Sequence, residues 1–166
     1  MRTPKSRAVW RIAAETADHG SDDLSGRGAE KTGGRWSRKG TPVIYASCSI
    51  ALVYLETMVH LSGLELLPLN RYLIRIDIPG TAWKARTVFD AATHVGWDAL
   101  PTGLVSLNWG THWVRSRRSL IAEVPSIVVP EESNILICPS HPDAPKLIAK
   151  KIRRLNYDAR LVERRM

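Results

Sequence analysis

Between Gly40 and Leu64 the chain carries no lysine, arginine or aspartate and a single glutamate, Glu56. A stretch this apolar must be covered, by lipid or by protein. Glu56 and His60 interrupt the roughly 20 apolar residues that a membrane helix needs, so the stretch belongs to a protein interior. Its residue types divide it in two. "TPVIYAS" (Thr41–Ser47) is rich in strand formers, with a proline at its edge. Ser47 or Ser49 then offers an N-cap side chain for a helix through about Leu61, ahead of Gly63. On that helix Glu56 shares the apolar stripe of Leu52 and Val59, and the helix itself is expected to be apolar because it packs in the core. A carboxylate in such a place is either paired or given a task. Both readings stand: an ion pair with Arg35 that ties the helix to the preceding segment, or a group facing a ligand.

The rest of the chain predicts an α+β domain spanning 1–166. "AVWRIAA" (Ala8–Ala14) reads as a strand. "NRYLIRIDIPG" alternates, with Tyr72, Ile74, Ile76 and Ile78 on one face and Arg75 and Asp77 on the other. "TGLVSLNWGTHWVRSRRS" makes an amphipathic helix despite Gly110, and "SLIAEVPSIVVP" and "NILICP" are strand runs. By pattern alone, "KLIAKKIRRLNYDARLVE" is a helix.

At 166 residues, 44% hydrophobic and 24% charged, the composition suits one folded domain rather than a disordered chain. The opening "MRTPKSRAVWRIAAE" has no apolar core of a secretory leader, and Cys48 and Cys138 form no paired motif. A cytoplasmic protein with two reduced, buried thiols is expected. The net charge of +8 calls for an anionic partner. Seven basic residues against two acidic ones in "KKIRRLNYDARLVERR" describe a solvated or partner-facing surface. His19, His94, His112 and His141 show no metal-ligand spacing, so no metal is expected.

The segment before the apolar stretch gives Glu56 a context. "GRGAEKTGGRW" clusters four glycines with Arg27, Lys31, Arg35 and Trp36. Glycines let backbone N–H groups approach a phosphate, and a guanidinium clamps phosphate oxygens in a fork. Gly34, Arg35 and Trp36 are therefore candidate ligand contacts, with Tyr45 as a ring to stack on base or ribose. Arginine, aromatic and carboxylate then follow on successive elements. They suit cleavage of the bond between ribose and nicotinamide, where a carboxylate stabilises the oxocarbenium ion that develops. Ser126 shares a strand face with Val124 and Val128 and has no nucleophile-elbow context. His60, one turn past Glu56, is expected to make a structural hydrogen bond, and Asn134 reads as a turn residue.

"GGRWSRKGTPVIYASCSIALVYLETMVHL" and "EVPSIVVPEESNILICPSHPD" resemble the two signature blocks of the RES domain toxins, a family named for an arginine, a glutamate and a serine. Here these fall on Arg35, Glu56 and Ser126, with Tyr45 matching the aromatic of the first block. The resemblance implies a fold similar to ADP-ribosyltransferases and diphtheria-type toxins, a split sheet flanked by helices. It implies NAD+ as substrate and no prosthetic group. Arg35, Glu56 and Ser126 would be catalytic, with Ser126 orienting Glu56 or binding the ribose. It also implies a cognate helix-turn-helix (Xre-like) antitoxin, with nucleic acid met only through that partner, and admits a homodimer within the complex. Hydrolysis, phosphorolysis with phosphate as acceptor, and ADP-ribose transfer to a protein stay open. So do a ribonuclease using His60 with Glu56, and a non-catalytic docking module. The chain departs from the family pattern at Cys138-Pro139, where the blocks usually read Asn-Pro, and at Ala144, where an aromatic is common. If the fold is shared, part of the C-terminal segment is strand.

Overall fold

In the computed structural model, which describes residues 5–61 and 67–162, the chain is an α+β protein built on one seven-stranded mixed sheet. The strands are β1 (Arg7–Ala14), β2 (Ile44–Ser47), β3 (Arg71–Ile78), β4 (Thr87–Val88), β5 (Ile121–Pro125), β6 (Ser133–Ile137) and β7 (Ile148–Arg154). Their order is β4-β5-β6-β2-β1-β3-β7, antiparallel except for the β4–β5 pair. The sheet is narrowest at its centre. β1 and β2 are in register at Trp10↔Ser47, whereas β1 and β3 pair along their whole length. Two blocks of strands therefore meet at one junction, and β2 carries its C-terminal end to that junction.

Alternation along the strands fills both faces. Ile121, Ile135 and Ile137 join Val9, Ile74, Ile76 and Ile78 in one cluster. Their neighbours Ala122, Val124 and Leu136 join Trp113 and Trp36 in the other. β3 follows its expected pattern except that Leu73, on the charged face, is also buried.

Four helices flank the sheet ahead of β7: α1 (Arg27–Thr32), α2 (Ile50–Leu61), α3 (Gly80–Lys84) and α4 (Leu104–Ser116). Ser49 caps α2, its Oγ accepting the Leu52 N–H at 3.1 Å. The expectation that α2 is apolar because it is buried needs correction. Leu52, Val53 and Leu61 are buried, while Ile50, Leu55 and Val59 are exposed. α4 forms despite Gly110, and for a reason that periodicity does not carry. A methyl group at Gly110 would lie 2.0 Å from the Trp36 carbonyl oxygen, so glycine lets the helix ride directly on the Arg35 segment.

Other boundaries move as well. Within the glycine-rich "GRGAEKTGGRW", Arg27–Thr32 winds into α1. The run "SLIAEVPSIVVP" ends as a strand at Pro125, which leaves Ser126 in the following turn. The C-terminal segment is not one helix. A short 3₁₀ turn (Ala144–Lys146) leads into β7, which pairs with β3, and only Ala159–Val162 forms a helix, α5. Ile148 and Ile152, four residues apart in "IAKKIRR", share a face in either period, and a partner strand decides it. Cys138 is buried and Cys48 half-buried, both as free thiols. No helix among the described residues is long and apolar enough to cross a membrane.

Candidate active site

Glu56 enters a cavity of about 670 Å³ lined by Gly34, Arg35, Trp36, Tyr45, His60 and Asn134, among others. A smaller recess of about 170 Å³ shares Tyr45, Glu56, His60 and Asn134 with it. Glu56 thus stands between two connected spaces.

The carboxylate is held by two donors, both on Oε1. Ser126 Oγ donates at 2.7 Å and Asn134 Nδ2 at 2.6 Å. Ser126 has no freedom in this. Its Oγ accepts the N–H groups of Val128 and Val129, each at 3.0 Å, so its single hydrogen is left for Glu56. Ser126 is fully buried and touches Glu56 rather than the cavity. The expectation that places it on a strand beside Val128 is therefore corrected, and of its two family-implied roles the geometry favours orienting Glu56. Asn134 is not a turn residue either. It sits in the β6 ladder, opposite Ser47 on β2 and Val124 on β5.

Arg35 tops a two-residue turn closed by the Gly34–Ser37 bridge. The turn is stapled from beneath by Tyr45, whose hydroxyl accepts the Trp36 N–H at 3.1 Å and bonds Ser37 Oγ at 2.8 Å. Burial pushes the Tyr45 phenol up, so it remains a hydroxyl. A Cβ on Gly34 would come within 2.6 Å of that hydroxyl, so Gly34 is needed for the staple before any phosphate is considered. Tyr45 contributes its ring to the cavity wall, while its polar end does structural work. Trp36 also borders the cavity, but its ring is 3% exposed and packs against Phe89, Trp97 and Trp109. It anchors Arg35 more than it offers a stacking face.

Arg35 does not form the ion pair with Glu56 that one reading of the sequence requires. Its Nη1 donates to the carbonyls of Trp97 and Ala99 at 3.1 and 3.0 Å. Burial pulls the guanidinium below its usual range, against the opposing fields of Glu56, Asp98 and Tyr45. The remaining N–H groups of the fork stay available. By holding the 97–99 backbone, Arg35 also fixes Leu100 and Thr102, which line the same cavity. This second duty has no sequence signal, because its partners are carbonyls some 60 residues away. His60 is exposed at the cavity and makes no hydrogen bond to Glu56. Among the described residues, no group of three or more His, Cys, Asp or Glu side chains is arranged to hold a metal ion.

Chemically, the arrangement offers one carboxylate with a saturated oxygen and a second oxygen with no donor among the described residues, facing a cleft with a guanidinium on its wall. Such an arrangement can stabilise positive charge on a ligand whose anionic part reaches Arg35.

The RES domain family matches residues 8–158 of this chain. A Sphingobium protein named "Prs ADP-ribosylating toxin" is 46% identical over 158 residues, covering 95% of this chain and 98% of the relative. A "Toxin Res" of Pseudomonas putida is 35% identical over 137 residues, 82% of this chain and 87% of the relative. One of Yersinia enterocolitica is 37% identical over 117 residues, 70% and 75% of the two chains.

Proposed function

The chain belongs to the RES domain family, and from that premise we propose that it is a toxin that consumes NAD+ by breaking the bond between nicotinamide and ribose. The observation that carries this reading is the Glu56 carboxylate, aimed by Ser126 and Asn134 into a cavity that Arg35 shares. Arg35 binds the pyrophosphate with the edge of its fork that does not hold the 97–99 loop. The ribose then lies at Glu56, between the two recesses. As the C1′–N bond breaks, its electron pair goes to nicotinamide, which leaves neutral. Positive charge spreads over C1′ and the ring oxygen, where the free oxygen of Glu56 stabilises it. An acceptor nucleophile completes the reaction on C1′.

The acceptor defines the outcome: water for a glycohydrolase, phosphate for a phosphorylase, a protein side chain for an ADP-ribosyltransferase. The name of the Sphingobium relative favours transfer, and its identity extends over nearly the whole chain. A ribonuclease has less support, because His60 and Glu56 are not paired as acid and base. Incubating purified protein with NAD+, alone, with phosphate and with a cell extract, and identifying the products separates these fates. Intact NAD+ in all three mixtures, with RNA cut instead, would overturn the reading.

We further propose a cytoplasmic setting and an Xre-like helix-turn-helix antitoxin as partner, which denies NAD+ access by covering the cavity. Nucleic acid is reached only through that partner, and the complex accommodates a toxin homodimer. The exposed Val59 and Leu100 at the rim provide apolar contact for such a cover.

Arg35→Lys tests the ligand side of the site. Lysine keeps the charge but has no planar fork, so it cannot hold the Trp97 and Ala99 carbonyls and a pyrophosphate together. KM for NAD+ is expected to rise by tenfold or more. A wild-type KM would remove Arg35 from the binding site.

A further inference from the structure

Resting on the reading that NAD+ is cleaved at Glu56, the geometry points to Asn134 as a positioning residue for that reaction, with Ser47 holding the far end of its amide. The relay is fully specified by who can donate. Ser47 Oγ lies 2.6 Å from Asn134 Oδ1, and Asn134 Nδ2 lies 2.6 Å from Glu56 Oε1. The Glu56 carboxylate can only accept, so the N–H end of the amide must face it, Oδ1 then faces Ser47, and the Ser47 hydroxyl donates to it. The reversed amide would set Oδ1 against the carboxylate and place the two oxygens in repulsion.

The relay is rigid because of where its members sit. Ser47 and Asn134 are directly opposed in the β2–β6 ladder, and Asn134 also pairs with Val124 on β5. Ser47 is 2% exposed. It lies at the β1–β2 junction, at the one register position joining the two blocks of the sheet. The donors to Glu56 thus arrive from two independent directions, the turn after β5 and the β6 ladder. Both land on Oε1, which leaves Oε2 as the oxygen presented to the ligand. One donor would permit the carboxylate to rotate; two hold a single face toward the cavity. A carboxylate fixed before the substrate arrives needs no reorganisation when charge develops.

Removing this donor should act on turnover rather than on binding. Asn134→Leu keeps similar volume but loses the N–H, and kcat is expected to fall roughly ten- to hundredfold, the size of one hydrogen bond to a charged group. KM should stay within a few-fold. Ser47→Ala, which removes only the hydroxyl that holds the far end of the amide, should fall between wild type and Asn134→Leu.

Asn134→Asp separates positioning from mere packing. Two carboxylates at this distance share one proton, and while they do the aspartic acid still donates to Glu56. Repulsion raises the pH at which the pair loses that proton. Activity should therefore be retained on the acid side and lost as pH rises, adding an alkaline limb to the wild-type profile. His60, Tyr45 and Arg35 face the same cavity in both proteins, so the comparison with wild type isolates the added carboxyl group. The experiment is kcat and KM for nicotinamide release from NAD+ across pH, with phosphate and a cell extract present as acceptors, for wild type, Asn134→Leu, Ser47→Ala and Asn134→Asp, beside their melting temperatures. Wild-type kcat in Asn134→Leu, or a wild-type pH profile in Asn134→Asp, overturns the inference. No nicotinamide release by wild type overturns the substrate reading, and this inference falls with it.

Discussion

Glu56→Gln is expected to lower nicotinamide release from NAD+ by roughly a hundred- to a thousandfold, about 2.7–4 kcal/mol of transition-state stabilisation. The substitution is close to isosteric, and the hydrogen-bond pattern says how it should be accommodated. Oε1 of the amide can still accept from Ser126 and Asn134, which have nowhere else to donate. The new NH2 then takes the place of the free carboxylate oxygen and presents hydrogens where the ribose gains positive charge. The effect should fall on kcat more than on KM, because the charge exists only in the transition state. Melting temperature should hold, since no buried donor loses its acceptor. A structural ion-pair role predicts the reverse, a less stable protein with near-normal turnover. The absence of an Arg35–Glu56 bond already weakens that alternative.

Gly110→Ala is expected to produce a large loss of stability, because its added Cβ meets backbone. In an exposed helix the change would gain up to about 1 kcal/mol from propensity. Here the added Cβ would sit 2.0 Å from the Trp36 carbonyl oxygen and 2.9 Å from the Trp36 Cβ. Backbone cannot rotate out of the way as a side chain can, so α4 must lift off the Arg35 turn. The movement would open the cluster of Trp36, Phe89, Trp97 and Trp109 and break the Arg38 N–H bond to Thr111 Oγ1. About 3 kcal/mol is expected, the upper end of overpacking penalties. For a chain of this size that is a fall of roughly 6–12 °C in Tm by calorimetry. Activity should fall further than the folded fraction, because the displaced turn carries Arg35. An unchanged Tm would mean that α4 does not pack on Trp36 as described.

These two residues mark the limits of what the sequence discloses. Glu56 is visible because charge is costly in an apolar stretch, and the anomaly stands out without any knowledge of its partners. Arg35 and Tyr45 follow from chemistry, and both do reach the Glu56 cavity. Their detailed roles do not follow, since Tyr45 staples a turn and Arg35 holds carbonyls of a distant loop. Asn134 and Gly110 carry no local signal at all. A lone asparagine before "ILIC" looks like a turn, and a glycine in a helix looks like a defect. What decides each is a contact across the sheet or between layers, to Ser47 and Glu56 in one case and to Trp36 in the other. The same holds for β7, whose helix-compatible pattern yields to hydrogen bonding with β3. The unburied side of α2 is a further case, for hydrophobicity reports the need for cover but not what provides it.

The most direct measurement is a time course of free nicotinamide when purified protein, free of any partner, is mixed with excess NAD+, phosphate and a cell extract that supplies protein acceptors, run beside an equal amount of Glu56→Gln with a matched melting temperature. The site described here predicts release well beyond one equivalent by the wild type and at least a hundredfold slower release by the variant. NAD+ that stays intact with the folded wild type, or equal release by both proteins, would contradict it.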